Sequence, residues 1–137
     1  MLDTDVVVAA LRSPLGASAE LLRRLDRGQA KLLLSVALAL EYEAICRLAE
    51  HRLAGGLSAA DVTVFLDGLI AMAEPVTSHF RWRPQLHDPG DEMVLEAAVN
   101  GQAVAIVTFN LRHYHLGPAR FGIAVMRPAD ALGRIET

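Results

Sequence analysis

Residues 1–11 read MLDTDVVVAAL, and they set two aspartates, Asp3 and Asp5, inside an otherwise apolar run. A carboxylate buried in such a run is costly unless it is paired, protonated or bound to a metal. By propensity alone, Leu2 with Val6, Val7 and Val8 make a β-rich opening, broken by the turn Ser13-Pro14-Leu15-Gly16. The two acids are what such a strand does not explain.

Outward from that opening the chain alternates between helical and strand patterns. ASAELLRRLDRG (17–28) places Leu21, Leu22 and Leu25 at helical spacing, with Gly28 as a stop, and AKLLLSV (30–36) reads as a short buried strand. From Ala37 to Leu53, apolar Leu38, Ile45, Leu48 and Ala49 alternate with acids and arginines. That pattern predicts one amphipathic helix ended by Gly55-Gly56. Ser58 to Asp61 resembles a capping box and starts a helix running to about Ala73. EPVTSHF (74–80) predicts a strand and RWRPQLHDPGD (81–91) a polar loop, with Asp91 just before the helix of EMVLEAAVNG (92–101).

AVAIVT (103–108) is apolar and β-branched until its polar end, the pattern of a buried parallel strand. IAVM (123–126) predicts the last strand, and Pro128 opens a short terminal helix. Strands alternating with helices imply an α/β fold, a three-layer α/β/α sandwich with a mainly parallel central sheet, in a single domain spanning 1–137.

Composition excludes several classes. With 53% hydrophobic and 21% charged residues the 137-residue chain reads as soluble and globular, and no apolar run nears the ~18 residues of a membrane span. The acidic start lacks the pattern of a secretory signal. A single cysteine, Cys46, in an apolar helical pattern, fits core filling in a reducing cytoplasm. A net charge of −3 gives no global pull toward nucleic acid.

In open α/β sheets, ligands bind at the carboxyl ends of the strands. Asp3 and Asp5 flank the end of a very short first strand, Thr108 and Asn110 close AVAIVT, Asp91 begins the preceding helix, and Glu41 and Glu43 follow KLLLSV. Three separate segments thus bring carboxylates toward one crevice, a destabilising arrangement alone and a favourable one around Mg²⁺ or Mn²⁺. Taken singly, each acid also reads as a helix cap or a solvated face, Asp91 most naturally.

These residues resemble a known family. LDTDVVVAAL (2–11) resembles the opening of PIN domains, a small nuclease fold found in many toxins of bacterial toxin–antitoxin pairs: a strand ending in Asp, then Thr or Ser, then Asn or Asp, then an apolar helix. LLLSVALALEYEAICR (32–47) resembles the second element of that family and HDPGDEMVLEAAVNGQAVAIVTFNLRHY (87–114) the third and fourth, in order from Leu2 to about Pro128. The resemblance implies that Val6 to Leu11 are helix and that the chain is a divalent-metal-dependent ribonuclease, using Mg²⁺ or Mn²⁺, with a cognate antitoxin as partner. Carried over by position, Asp3, Glu41 and Asp91 are the metal ligands and the catalytic acids. Asp5 neighbours them as a helix-start acid, so Asp5→Asn is expected to be milder than loss of Asp3. Thr108 orients a carboxylate. Apart from the resemblance, Arg112 beside that site reads as an RNA phosphate contact or as an ordinary surface arginine.

The chain departs from the family at Asn110, where Asp is common, and at Arg112-His113-Tyr114, where relatives carry Arg-Asp-Phe. A PIN fold that binds RNA or antitoxin without cleaving is therefore the alternative. Asp-x-Asp phosphatases of the haloacid dehalogenase type and receiver-type phospho-acceptor domains need a lysine near a late strand, whereas Lys31 is the only lysine among 13 basic residues. His87, His113 and His115 lack zinc-site spacing. Arg12, Arg81 and Arg83 extend a candidate basic rim, with Trp82 as a stacking platform or core cover. Phe65, Leu66, Leu69 and Met72 read as a packing face, and a mean hydropathy of +0.30 favours a homodimer.

Overall fold

The computed structural model describes residues 1–77, 89–114 and 118–135, with 89–92 described by their backbone alone. Asp3 decides how the chain begins. Its backbone is extended and its side chain accepts the Thr4 amide, so α1 (Thr4–Arg12) starts one residue later with its N-cap in place. The valines are helical, as the family resemblance implies and propensity does not. A β-branched residue costs a helix at most about 0.7 kcal/mol, whereas burying a valine or leucine side chain contributes about 1.5–3 kcal/mol. Val6 and Val7 are fully buried, and Ala10 and Leu11 nearly so. Burial wins.

The strand ahead of α1 is a single parallel bridge between Leu2 and Val107. The Val107 amide donates to the Met1 carbonyl at 2.9 Å, and the Asp3 amide donates to the Val107 carbonyl at 2.9 Å. The chain continues through α2 (Ala17–Asp26), β1 (Leu32–Ser35), α3 (Val36–Cys46), α4 (Ala49–Ala54), α5 (Ala59–Met72) and β2 (Ala73–Val76). Then come α6 (Pro89–Asn100), β3 (Ala105–Val107), 3-10 turns at Leu111–Tyr114 and Pro118–Phe121, β4 (Ala124–Met126) and α7 (Pro128–Ile135). The expected capping box is present, with the Ser58 hydroxyl accepting the Asp61 amide and the Asp61 carboxylate accepting the Ser58 amide.

Four expectations need correction. The helix expected over Ala37–Leu53 is two, α3 and α4, because Arg47 caps the first and the extended Leu48 opens the second. The turn brings the end of α4 onto α1, where a Cβ on Gly55 would lie 2.7 Å from the Leu11 carbonyl oxygen. Asp91 does not precede its helix, which begins at Pro89, a residue suited to the first helical position. The strands expected over 103–108 and 74–80 are shorter, Ala105–Val107 and Ala73–Val76, with 78–80 outside the described residues.

Every strand pairing among the described residues is parallel, as the alternating pattern requires, but β1 pairs with β2 and β3 with β4 as two separate units. The Leu2 carbonyl, which a neighbouring strand would otherwise use, accepts the hydroxyl of Tyr42 instead. A cleft of about 450 Å³, lined in part by Met1, Leu2, Leu32, Leu33, Ala105 and Val107, lies between the pairs. α1 packs against α2, α3 and α4, α7 against α2, and α6 against β1 and β3. Leu66 and Leu69 are buried, with Phe65 and Met72 partly buried against the same core. Cys46 is fully buried, and burial pushes its thiol up to about 11, the behaviour of core filling.

Candidate functional site

Parallel strands send their carboxyl ends to one side of the sheet, and three such ends position the acids. Leu2 delivers Asp3, β3 delivers Thr108, and β1 leads through Ser35 into α3. The Ser35 hydroxyl accepts the Leu38 amide at 3.1 Å and so starts the helix that carries Glu41. Because Asp3 caps α1 and Asp5 stands in its first turn, both acids face the positive end of a helix dipole, which offsets part of their mutual repulsion.

Asp3 is buried and its two oxygens are used differently. Oδ1 accepts the Thr4 amide at 2.8 Å. Oδ2 accepts the Thr108 hydroxyl at 2.8 Å and the Tyr114 hydroxyl at 3.0 Å. Thr108 has one proton to give, and Asp3 lies nearer to it than the Asp5 Oδ2 at 3.3 Å. The Thr108 oxygen also accepts the Asn110 amide at 3.0 Å, which folds the chain back after β3.

That fold-back clamps Asp5. Its Oδ2 accepts the Phe109 amide at 3.0 Å and the Asn110 side-chain amide at 2.9 Å. Its Oδ1 is buried and has no partner in hydrogen-bonding geometry among the described residues, the nearby Val6 amide being directed to the Asp3 carbonyl at 3.1 Å. Burial, and then the neighbouring Asp3 charge, raise the Asp5 pKa to about 6 against the pull of its donors. Glu41 joins from α3, its Oε2 accepting the Thr4 hydroxyl at 2.5 Å. Thr4, between the two aspartates in sequence, is thus the link from α1 to α3.

Of the residues singled out from sequence, Asp3, Asp5, Thr108 and Asn110 form one bonded network, and Glu41 joins it through Thr4. The Asp91 side chain, with Arg81, Trp82, Arg83, His87 and His115, lies outside the described residues. Glu43 points to solvent and pairs with Arg47 at 3.4 Å. Arg112 and His113 are exposed on the turn that follows the network, and Arg12 reaches His51 at 3.2 Å. Sequence reasoning missed Thr4, the Phe109 amide and both tyrosines. Tyr42 and Tyr114, the two tyrosines of the chain, are buried with their hydroxyls on Leu2 and Asp3. A buried tyrosine needs a partner for its hydroxyl, and that requirement was the signal available.

Among the described residues no group of three or more His, Cys, Asp and Glu is placed to hold a metal ion. The chemistry of the donor set nevertheless fits a hard divalent cation, since every side-chain donor here is an oxygen and the Asp5 Oδ1 is buried without a partner among the described residues. No curated protein matches the chain, nor does any solved structure. The PIN domain matches residues 1–112 of it. The chain therefore belongs to the PIN-domain family, in which nuclease-type activity, nucleic-acid binding and divalent-metal binding are general.

Proposed function

We propose that this protein is a Mg²⁺- or Mn²⁺-dependent endoribonuclease that acts in the cytoplasm as the toxin of a toxin–antitoxin pair. The observation that carries the reading is the network in which Asp3 and Asp5 share Thr108 while Thr4 ties Glu41 to the same helix start. Asp3, Glu41 and Asp91 would hold the ion, with Asp5, Thr108 and Asn110 supporting them. Such an ion neutralises charge developing on a phosphate under attack and makes a water more acidic. The protein's own part is to position the acids: the Thr108 and Tyr114 hydroxyls fix the Asp3 carboxylate, and the Thr4 hydroxyl fixes Glu41. Arg112, exposed on the adjoining turn, offers a phosphate contact, and Phe109, a residue 43% exposed, offers a base a stacking surface.

A homodimer and a cognate antitoxin belong to the same proposal. What supports a protein partner is the outer face of α3, where Val36, Leu40 and Ala44 form an exposed row that Leu48 continues past the helix end. A contiguous apolar row exposed on a helix is the kind of surface that a protein partner covers. The single domain over 1–137 is likewise part of this reading, supported by the packing of α7 on α2. A PIN module that binds RNA or protein without cutting is the second reading. Its support is Asn110, whose neutral amide stands where an acid is common and is engaged with Asp5.

RNA cleavage with and without EDTA, comparing wild type with Asp91→Asn, tests the proposal. Cleavage that stops with EDTA and with the substitution is expected. Indistinguishable rates would sink the metal-dependent reading, and RNA left uncut by wild type with metal present would leave the binding module.

A further inference from the structure

The two aspartates at the start of α1 use their oxygens unequally. Asp3 has both oxygens engaged by protein donors, three in all, leaving about one of a carboxylate's roughly four acceptor directions. Asp5 has one oxygen clamped by the Phe109 amide and the Asn110 side chain, and the other buried and bare among the described residues. A buried carboxylate oxygen without a partner is the most expensive atom in such a network, and a cation is what would remove the cost.

We propose that Asp5 is itself a ligand of the divalent ion, through Oδ1, and that Asn110 is not a ligand but the donor that fixes Asp5. The inference rests on the metal-dependent reading above, moves Asp5 from a supporting position to a ligand, and says how Asn110 supports it. An amide at residue 110 donates to the Asp5 Oδ2 at 2.9 Å. An aspartate there would set a second acceptor against the same oxygen and break the clamp. Restoring the common acid should therefore harm this site.

Mn²⁺ binding to the EDTA-treated chain, followed by titration calorimetry and by the shift in Tm with added Mn²⁺, tests this without any activity assay. Asp5→Asn and Asn110→Asp should each bind Mn²⁺ about tenfold or more weakly than wild type. Glu43→Gln, which removes one exposed negative charge from α3, should bind as wild type does. Without metal, Asp5→Asn should melt higher than wild type, because it removes a buried like charge beside Asp3. A purely structural role for Asp5 would lower that Tm instead. Asp5→Asn binding within about twofold of wild type, or Asn110→Asp binding more tightly, would overturn the inference and leave the metal reading intact. A wild-type chain that binds no Mn²⁺ would overturn both.

Discussion

Asp5 is where residue-scale chemistry is most exposed to measurement. Burial is the main cause that lifts its pKa from the ordinary 3.8 to about 6, followed by the charge of Asp3. The folded chain thus holds the Asp5 proton more tightly than the unfolded chain does. The stability this proton contributes is present below about 3.8 and is lost as pH rises to about 6. In EDTA, the wild type should lose stability relative to Asp5→Asn across that window. Glu20 and Asp61, whose pKa values are lowered by their own donors, give an opposite slope that cancels in the difference. Urea unfolding of both proteins at several pH values checks this, and a difference that stays flat would place Asp5 in water-like surroundings. The sequence announced these acids by their apolar context, and it ranked Asp5 below Asp3 from family position alone. Which oxygen is clamped depends on the turn after β3, where Phe109 contributes a backbone amide that every residue type except proline carries.

At the scale of elements, periodicity and punctuation were informative where local physics decides the outcome. The Ser58–Asp61 box, the Gly28 stop and the Pro128 start all depend on neighbours within four residues. Tertiary contacts decided the rest. The valines of α1 are helical because three elements cover them, and α3 and α4 divide because the end of α4 fits against α1. Two glycines turn that argument into opposite signs. A Cβ at Gly55 would meet the Leu11 carbonyl oxygen at 2.7 Å, a backbone atom that cannot swing away. Gly55→Ala should cost about 1–3 kcal/mol. At Gly68, inside α5, a methyl group would have nothing within 4 Å of it. Gly68→Ala should stabilise by about 0.4–1 kcal/mol. Chemical denaturation of the two variants checks both signs. If Gly55→Ala is neutral, the close approach of α4 to α1 is not what fixes the break.

For the molecule as a whole, the alternation of helix and strand forecast parallel pairing, and all three pairings among the described residues are parallel. It did not forecast two separate pairs, nor that the Leu2 carbonyl would be taken by the Tyr42 hydroxyl, 40 positions away in sequence. The same long reach applies to the site, where Thr108 meets Asp3 across 105 positions. Composition was a better guide to the outside of the molecule. A mean hydropathy of +0.30 is high for a chain whose helices face water on one side, and part of the excess lies on α3, with Val36 76% and Leu40 61% exposed. That exposed apolar row is what supports the proposed protein partner. If a second copy covers it, Leu40→Arg should shift the protein from dimer to monomer, because a desolvated, unpaired guanidinium would face the same row on the partner. Its monomer should unfold with normal cooperativity, since Leu40 contributes little to the core. Sedimentation equilibrium of wild type and variant reads the state directly. A wild type that is monomeric at micromolar concentration would remove the homodimer and leave the α3 row to a different protein, the antitoxin being the one this reading names.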